Sequence, residues 1–326
     1  IVKEAIATTV LEPGWGATVN SRNQLVLSRI TPRATQTSVG TEADPVMLEV
    51  FNNLFMSIAE QMGVILRNTS YSVNIKERLD FSCAVFGPDG SLVANAPHIP
   101  VHLGSMSESV KTVAEQRRGT IVPGDVFMLN TPYNGGTHLP DVTVITPVFD
   151  ESGNNILFYV ASRGHHAEIG GATPGSVPPN STHIDEEGVL IDNFQLVAGG
   201  RLLETETENL FTSAPFPTRN FRHNLADLKA QIAGNEKGVQ ELRKMIKHFG
   251  LDVVHAYMTH VQDNAEECVR RVLGVLTDGS YEYEMDSGAK ICVDIKVDKE
   301  KREAIIDFTG TSPQQNSNFN APSSVC

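Results

Sequence analysis

Hydrophobic and polar positions follow two rhythms along this chain, and each change of rhythm marks an element. Met47, Phe51, Leu54, Phe55, Ile58 and Met62 recur at spacings of three and four behind Asp44-Pro45. That pattern predicts an amphipathic helix with an N-cap carboxylate and a proline in its first turn. Residues 81–94 switch to short apolar runs on either side of Gly87-Pro-Asp-Gly90, which reads as a hairpin. A short helix is expected over 106–117, ended by Gly119 and Pro123-Gly124. Residues 126–129, 142–149 and 156–161 are rich in Val, Ile and Phe and read as strands, the last two joined by Asp150-Glu-Ser-Gly153. The helical rhythm returns over 220–250 and 252–276 with Gly250 as the cap between, and residues 290–297 and 303–308 form a closing hairpin.

The first 40 residues differ. Short β runs at 7–11 and 24–28 are followed by a polar linker at 35–42, so this stretch belongs to another unit than residues 44–326. The fold class is therefore α+β: mixed or antiparallel sheets whose strand-end loops form a cleft, followed by a long-helix segment and a β-hairpin.

Composition narrows the function. With 326 residues, 40% of them hydrophobic, the chain can fill a substantial core. A formal charge of −13 with no dense Lys/Arg cluster argues against nucleic acid or anionic lipid as partner. The most apolar stretch, residues 45–66, is interrupted by Glu49, Asn52, Asn53, Glu60 and Gln61 and cannot cross a bilayer. Four scattered cysteines without a Cys-x-x-Cys pair fit reduced thiols in a cytoplasmic protein. No phosphate-binding glycine loop or serine nucleophile elbow occurs.

The chemistry concentrates elsewhere. Six of the ten histidines lie between His98 and His183, in a segment full of Gly, Pro and Asn. Gly135-Gly-Thr-His-Leu-Pro-Asp141 puts an imidazole and a carboxylate three residues apart, and His165-His166 follow on the next segment. Such a mixed N/O donor set suits a divalent ion: Mn, Zn, Fe or Mg. The bland reading of His138 and Asp141 is a surface turn capped by the aspartate. Glu77-Arg-Leu-Asp80 offers a further carboxylate or a solvated charge cluster. His98 and His102 are four apart, but Pro100 between them implies an extended loop; they are candidates for substrate binding or proton transfer.

Taken in order, Asn74-Ile-Lys-Glu-Arg-Leu-Asp-Phe-Ser82, Ala96-Pro-His-Ile-Pro-Val-His-Leu-Gly-Ser-Met106, Gly135-Gly-Thr-His-Leu-Pro-Asp141 and Ser162-Arg-Gly-His-His-Ala-Glu-Ile-Gly-Gly171 resemble the hydantoinase B/oxoprolinase family. The resemblance covers residues 44–326, while residues 1–40, with Glu12-Pro-Gly-Trp15, look like the tail of a hydantoinase A-type unit; both ends then belong to a longer chain. What it implies is an ATP-dependent cyclic-amide hydrolase opening 5-oxo-L-proline to L-glutamate. ATP would be bound by the A-type half outside this chain, and a metal held by Glu77, His138, Asp141 and His165 or His166, with His165 favoured because it matches the position before His-Ala-Asp in the family pattern. Expected partners are the hydantoinase A-like domain or subunit, a small-molecule lactam and further copies of the chain in a homo-oligomer. Glu168 departs from the family, which usually has Asp there. The rival expectations are an N-methylhydantoinase or ketone carboxylase on the same frame, and a non-catalytic assembly subunit whose histidines are structural.

Overall fold

The first long helix begins where Asp44 and Pro45 place it. One Asp44 carboxylate oxygen accepts the N–H groups of Val46 and Met47 at 3.0 and 2.9 Å, two donors that have no partner inside a helix. The computed structural model describes residues 1–31, 39–96 and 98–326; the first half of the expected linker at 35–42 lies outside them. The chain divides into two compact units, Ile1–Gly40 and Thr41–Cys326. In the first, β1 (Val2–Lys3) pairs with β2 (Thr8–Thr9) and β3 (Trp15–Val19) with β4 (Leu25–Arg29), both antiparallel.

The second unit opens with α1 (Pro45–Thr69) and a single turn, α2 (Val73–Lys76). Then come β5 (Phe81–Phe86), β6 (Leu92–Asn95), α3 (His102–Gln116), β7 (Val126–Leu129), β8 (Asp141–Phe149), β9 (Ile156–His165), β10 (Phe194–Ala198) and β11 (Arg201–Leu202). These strands form one seven-stranded sheet in the order β11-β10-β7-β8-β9-β5-β6, and every pairing in it is antiparallel. The chain continues through α4 (Glu204–Thr212), α5 (Phe221–Phe249) and α6 (Leu251–Leu273), then β12 (Gly279–Glu284), β13 (Lys290–Asp298) and β14 (Glu303–Asp307), a separate three-stranded sheet.

The large sheet is buried on both faces, which explains why its central strands are continuous apolar runs rather than alternating ones. On one face, Ala84, Phe86, Phe127, Leu129, Ile145, Tyr159 and Ala161 pack against Met106, Val110 and Val113 of α3. On the other, α1 and α5 lie against β5, β8 and β9. The two helices come close because α5 is bare at Gly238, where a Cβ would sit 2.5 Å from the Met62 sulfur. Polar side chains of α5 reach the sheet too: Gln231 donates to the carbonyls of Val142 and Ser162, and Asn235 to that of Val144. These bonds use buried donors fully and fix α5 in register with β8 and β9.

Three details differ from the expectation. His102 is not in an extended loop but is the first residue of α3, because Pro100 falls before the helix, where its missing N–H breaks no bond. β9 continues four residues beyond the apolar run, since Ser162, Arg163, Gly164 and His165 keep the ladder with β8 although their side chains are polar or absent. The terminal sheet has a third strand, β12, whose alternating Tyr and Glu side chains are exposed and gave no core-facing signal.

Candidate metal centre

Strand parity builds the site. Asp141 begins β8 and His165 ends β9, and they face each other as the last pair of that ladder. The His165 backbone N–H donates to the Asp80 carbonyl at 3.0 Å, one residue before β5. Asp80, His165 and Asp141 thus stand side by side at one end of three adjacent strands. They share the α3-facing side with Ser82, Thr143 and Arg163, because side chains alternate with period two. His138 arrives from the loop that precedes β8, and His102 from the first turn of α3.

The centre of this group is Asp141. Its Oδ2 accepts hydrogen bonds from His102 Nε2 at 3.2 Å, His138 Nδ1 at 3.1 Å and Thr137 Oγ1 at 2.7 Å. Burial alone would raise its carboxyl pKa, but the hydrogen bonds and charges of His102 and His138 hold it well below the usual range. Oδ1 is buried and has no hydrogen-bond partner. A buried carboxylate oxygen left unpaired is costly, and a cation is the partner that meets that need.

Each imidazole is held in place by neighbouring polar groups. The Nδ1 of His138 is spent on Asp141, which leaves Nε2 with its lone pair. His165 Nδ1 lies 2.7 Å from the Asn74 side-chain amide and 2.9 Å from the His166 carbonyl, and its Nε2 lies 2.9 Å from the Ser176 hydroxyl. The His138 and His165 rings are 4.9 Å apart. Burial lowers the His165 pKa; at His138 burial pulls the same way, but the bond and charge of Asp141 and the charge of Asp80 together outweigh it and raise the pKa. His102 is held from behind by the Ser82 hydroxyl at 2.9 Å. Two overlapping triplets have donor atoms within 4.8 Å of one another: His138, Asp141 and His165, and Asp80, His102 and Asp141. Imidazole and carboxylate groups thus meet in one mixed N/O cluster, which suits a divalent cation.

A cavity of about 620 Å³ opens onto His138 and Asp141. Tyr133, His183, Glu187 and Asn318 are among the residues lining it. Burial raises the Glu187 carboxyl above its ordinary value.

The other sequence candidates lie apart from this group. Glu77 is exposed at the end of α2 and belongs to neither triplet. The chain reverses at Leu79, which has a left-handed backbone with φ of 58°, and it is Asp80 that enters the site. His98 faces α1: its Nδ1 accepts the Cys83 N–H and its ring packs on Phe81, with burial pushing its pKa down to about 4. His166 points to the opposite side of the sheet from His165, where it bonds Gln231 and Asn224 of α5 at 3.1 and 3.2 Å. Glu168 is a loop anchor: its carboxylate accepts from the N–H groups of Gly170 and Arg219, the Thr218 hydroxyl and the Arg219 guanidinium. Asp80, Thr137, Ser82 and Arg163 were missed or passed over in the sequence. Asp80 stands at even spacing from Ser82, which puts the two on one face, but nothing local says that β5 lies beside β9.

An antiparallel sheet with a His/Asp cluster at its strand ends defines a metal-site domain. Residues 44–326 match the family model described as Hydantoinase B/oxoprolinase. The whole chain is 47% identical to part of the 5-oxoprolinase of Dictyostelium discoideum, covering 26% of that protein, and 44% identical to part of 5-oxoprolinase 1 of Arabidopsis thaliana, covering 27%. Among solved structures, the ATP-dependent caprolactamase from Pseudomonas jessenii superposes with a TM-score of 0.75 at 27% identity, over 87% of this chain and 49% of that one. The chain belongs to the hydantoinase B/oxoprolinase family. It spans about a quarter of the length of the curated 5-oxoprolinases it matches. Among the described residues, no helix is long and apolar enough to cross a membrane.

Proposed function

We propose that this chain carries the hydrolytic, metal-dependent part of an ATP-dependent cyclic-amide hydrolase that opens 5-oxo-L-proline to L-glutamate. The observation that supports this most is the buried, unpaired Oδ1 of Asp141 among three histidines and Asp80, at the mouth of a cavity. A five-membered lactam is a stable amide, so its opening needs an external driving force. In this reading a hydantoinase A-like domain or subunit binds ATP and phosphorylates the amide oxygen. Water then adds at the activated carbon, the carbon–nitrogen bond breaks as the nitrogen takes up a proton, and a second water hydrolyses the resulting acyl phosphate to carboxylate and inorganic phosphate.

Asp80, His138, Asp141 and His165 are the residues that would hold the cation, with His102 orienting Asp141 through Oδ2. The bound ion would supply Lewis-acid charge where negative charge develops on the substrate oxygen. Asp141 orients the rings of His102 and His138, and Asn74, the His166 carbonyl and Ser176 hold that of His165, so the rings are already placed before substrate arrives. Glu187, with its raised affinity for protons, faces the cavity and is suited to pass a proton to the departing nitrogen. Of the histidine pair first considered for proton transfer, His102 stands in the cluster and His98 behind the sheet, so His98 has no role in the reading.

The experiment is metal analysis together with ATP-dependent glutamate formation from 5-oxoproline by the full-length protein and its Asp141→Asn variant. Stoichiometric Mn²⁺, Zn²⁺ or Fe²⁺ and a loss of turnover of about a thousandfold are expected. Unchanged turnover in Asp141→Asn would remove the proposal. A larger cyclic amide is the second reading, supported by the caprolactamase likeness and the cavity volume. Comparing kcat/KM for five- and seven-membered lactams decides between them.

A further inference from the structure

Arg163 is the largest side chain with essentially no solvent exposure, and no carboxylate is among its hydrogen-bond partners. Burying a guanidinium without an ion pair is costly, so its neutral partners have to satisfy it. Nε donates to Thr143 Oγ1 at 2.8 Å, Nη1 to Ser105 Oγ, and Nη2 to Ser109 Oγ at 2.9 Å and the Gly135 carbonyl at 3.0 Å. Burial lowers its pKa to about 10, with the nearby Asp141 charge opposing, so it stays a cation at neutral pH.

Those four partners have a common property. Thr143 lies two residues along β8 from Asp141, and Ser105 and Ser109 are in α3, which starts at His102. Gly135 is in the loop that delivers His138, and Arg163 itself is two residues from His165. One guanidinium therefore joins the four segments that carry His102, His138, Asp141 and His165. The links are short: Ser105 Oγ, one acceptor, lies 3.3 Å from the His102 carbonyl to which it can donate, and Ser109 Oγ donates to the Gly135 carbonyl at 2.8 Å. The loop can reach the guanidinium only because residue 135 is glycine. A Cβ there would sit 2.3 Å from the Ser109 nitrogen, and the backbone has φ of 88°.

We infer that Arg163 is the positioning residue of the centre: it sets the spacing of His102, His138, Asp141 and His165 by cross-linking the segments that carry them, without itself touching ion or substrate. The inference rests on the metal-site reading above. A planar five-donor fork is needed for four divergent acceptors, so lysine cannot replace it.

The test is Mn²⁺ affinity by calorimetry in the full-length protein, well below the melting temperature, for wild type, Arg163→Met, Arg163→Lys and Leu242→Ala. The last is a core truncation in α5, the helix on the face of the sheet opposite α3, and destabilises the fold without removing a hydrogen bond of Arg163. Both Arg163 variants are expected to lose about ten- to a hundredfold in affinity, as when outer partners of metal ligands are removed, and Leu242→Ala to bind as wild type. Arg163→Met within about twofold of wild type would overturn the inference. If Arg163→Met does not fold, the double variant Ser105→Ala, Ser109→Ala removes two acceptors instead and should lower affinity in the same way; no loss there overturns the inference equally. A wild type that takes up no Mn²⁺ would count against the metal reading. The positioning role is then decided in the metal-free protein, where the ring NMR signals of His102 and His138 shift in Arg163→Lys if it is right and stay unchanged if it is wrong.

Discussion

Asp141 and His165 stand opposite each other as the terminal pair of the β8–β9 ladder. Their separation is thus set by backbone hydrogen bonds and does not wait for an ion to gather them. Chelation should abolish turnover yet leave the fold in place. Far-UV circular dichroism of protein treated with a chelator is expected to match the untreated sample. Added Mn²⁺ should raise the melting temperature, by an amount corresponding to about 2.7 kcal/mol at a hundred times Kd. A cooperative loss of secondary structure on chelation would contradict this.

Asp80 and Glu77 make opposite predictions although they are three residues apart. Asp80→Asn should lower metal affinity by at least about tenfold, since it removes a donor from one of the two triplets. Glu77→Gln, at an exposed helix end, should change affinity by less than about twofold. Calorimetric titration of both variants measures the difference, and the reverse order would restore Glu77 as the ligand.

Much of this site was legible in the sequence, for reasons that can be named. Asp44-Pro45, Gly87-Pro-Asp-Gly90 and Gly250 act locally, so the helix and hairpin limits they announce are found close to where they were expected. His138 and Asp141 were readable because three residues and a turn suffice to bring them together. The family motif favoured His165 over His166, but no local pattern does, because the two are neighbours in sequence and only the parity of β9 sends one toward Asp141 and the other toward α5. Asp80 was hidden for a similar reason. Its place depends on β5 pairing with β9, a contact between residues about eighty positions apart that no local pattern encodes.

Gly135→Ala should be among the most damaging single-methyl additions in the chain. The added carbon would meet backbone at 2.3 Å in a left-handed conformation. A loss of about 3 kcal/mol or more is expected from strain and displacement combined. Urea denaturation measures it; Gly175→Ala, which has φ of 105° but open space around it, should lose less.

His98 makes the fold acid-sensitive. Its folded pKa, pushed down to about 4 by burial and by His102, lies below the ordinary value of 6.5. A depressed imidazole favours the neutral form, so its contribution to stability is complete above about pH 6.5 and is lost as the pH falls from there toward 4. Protonation would also remove the acceptor used by the Cys83 N–H. His98→Asn keeps an acceptor and cannot titrate, so its melting temperature should fall less steeply than that of wild type between pH 6.5 and 4. Parallel curves would refute the assignment.

The β8–β9 hairpin turns at Asp150, whose carboxylate accepts from Ser152, Asn154 and Asn155, at the end of the strands remote from Asp141. The register slips once on the way, between Val148 and Phe149. A longer loop or a reporter group inserted after Ser152 would thus be insulated from the active end by seven consecutive ladder pairs, and the protein could be labelled there while still at work.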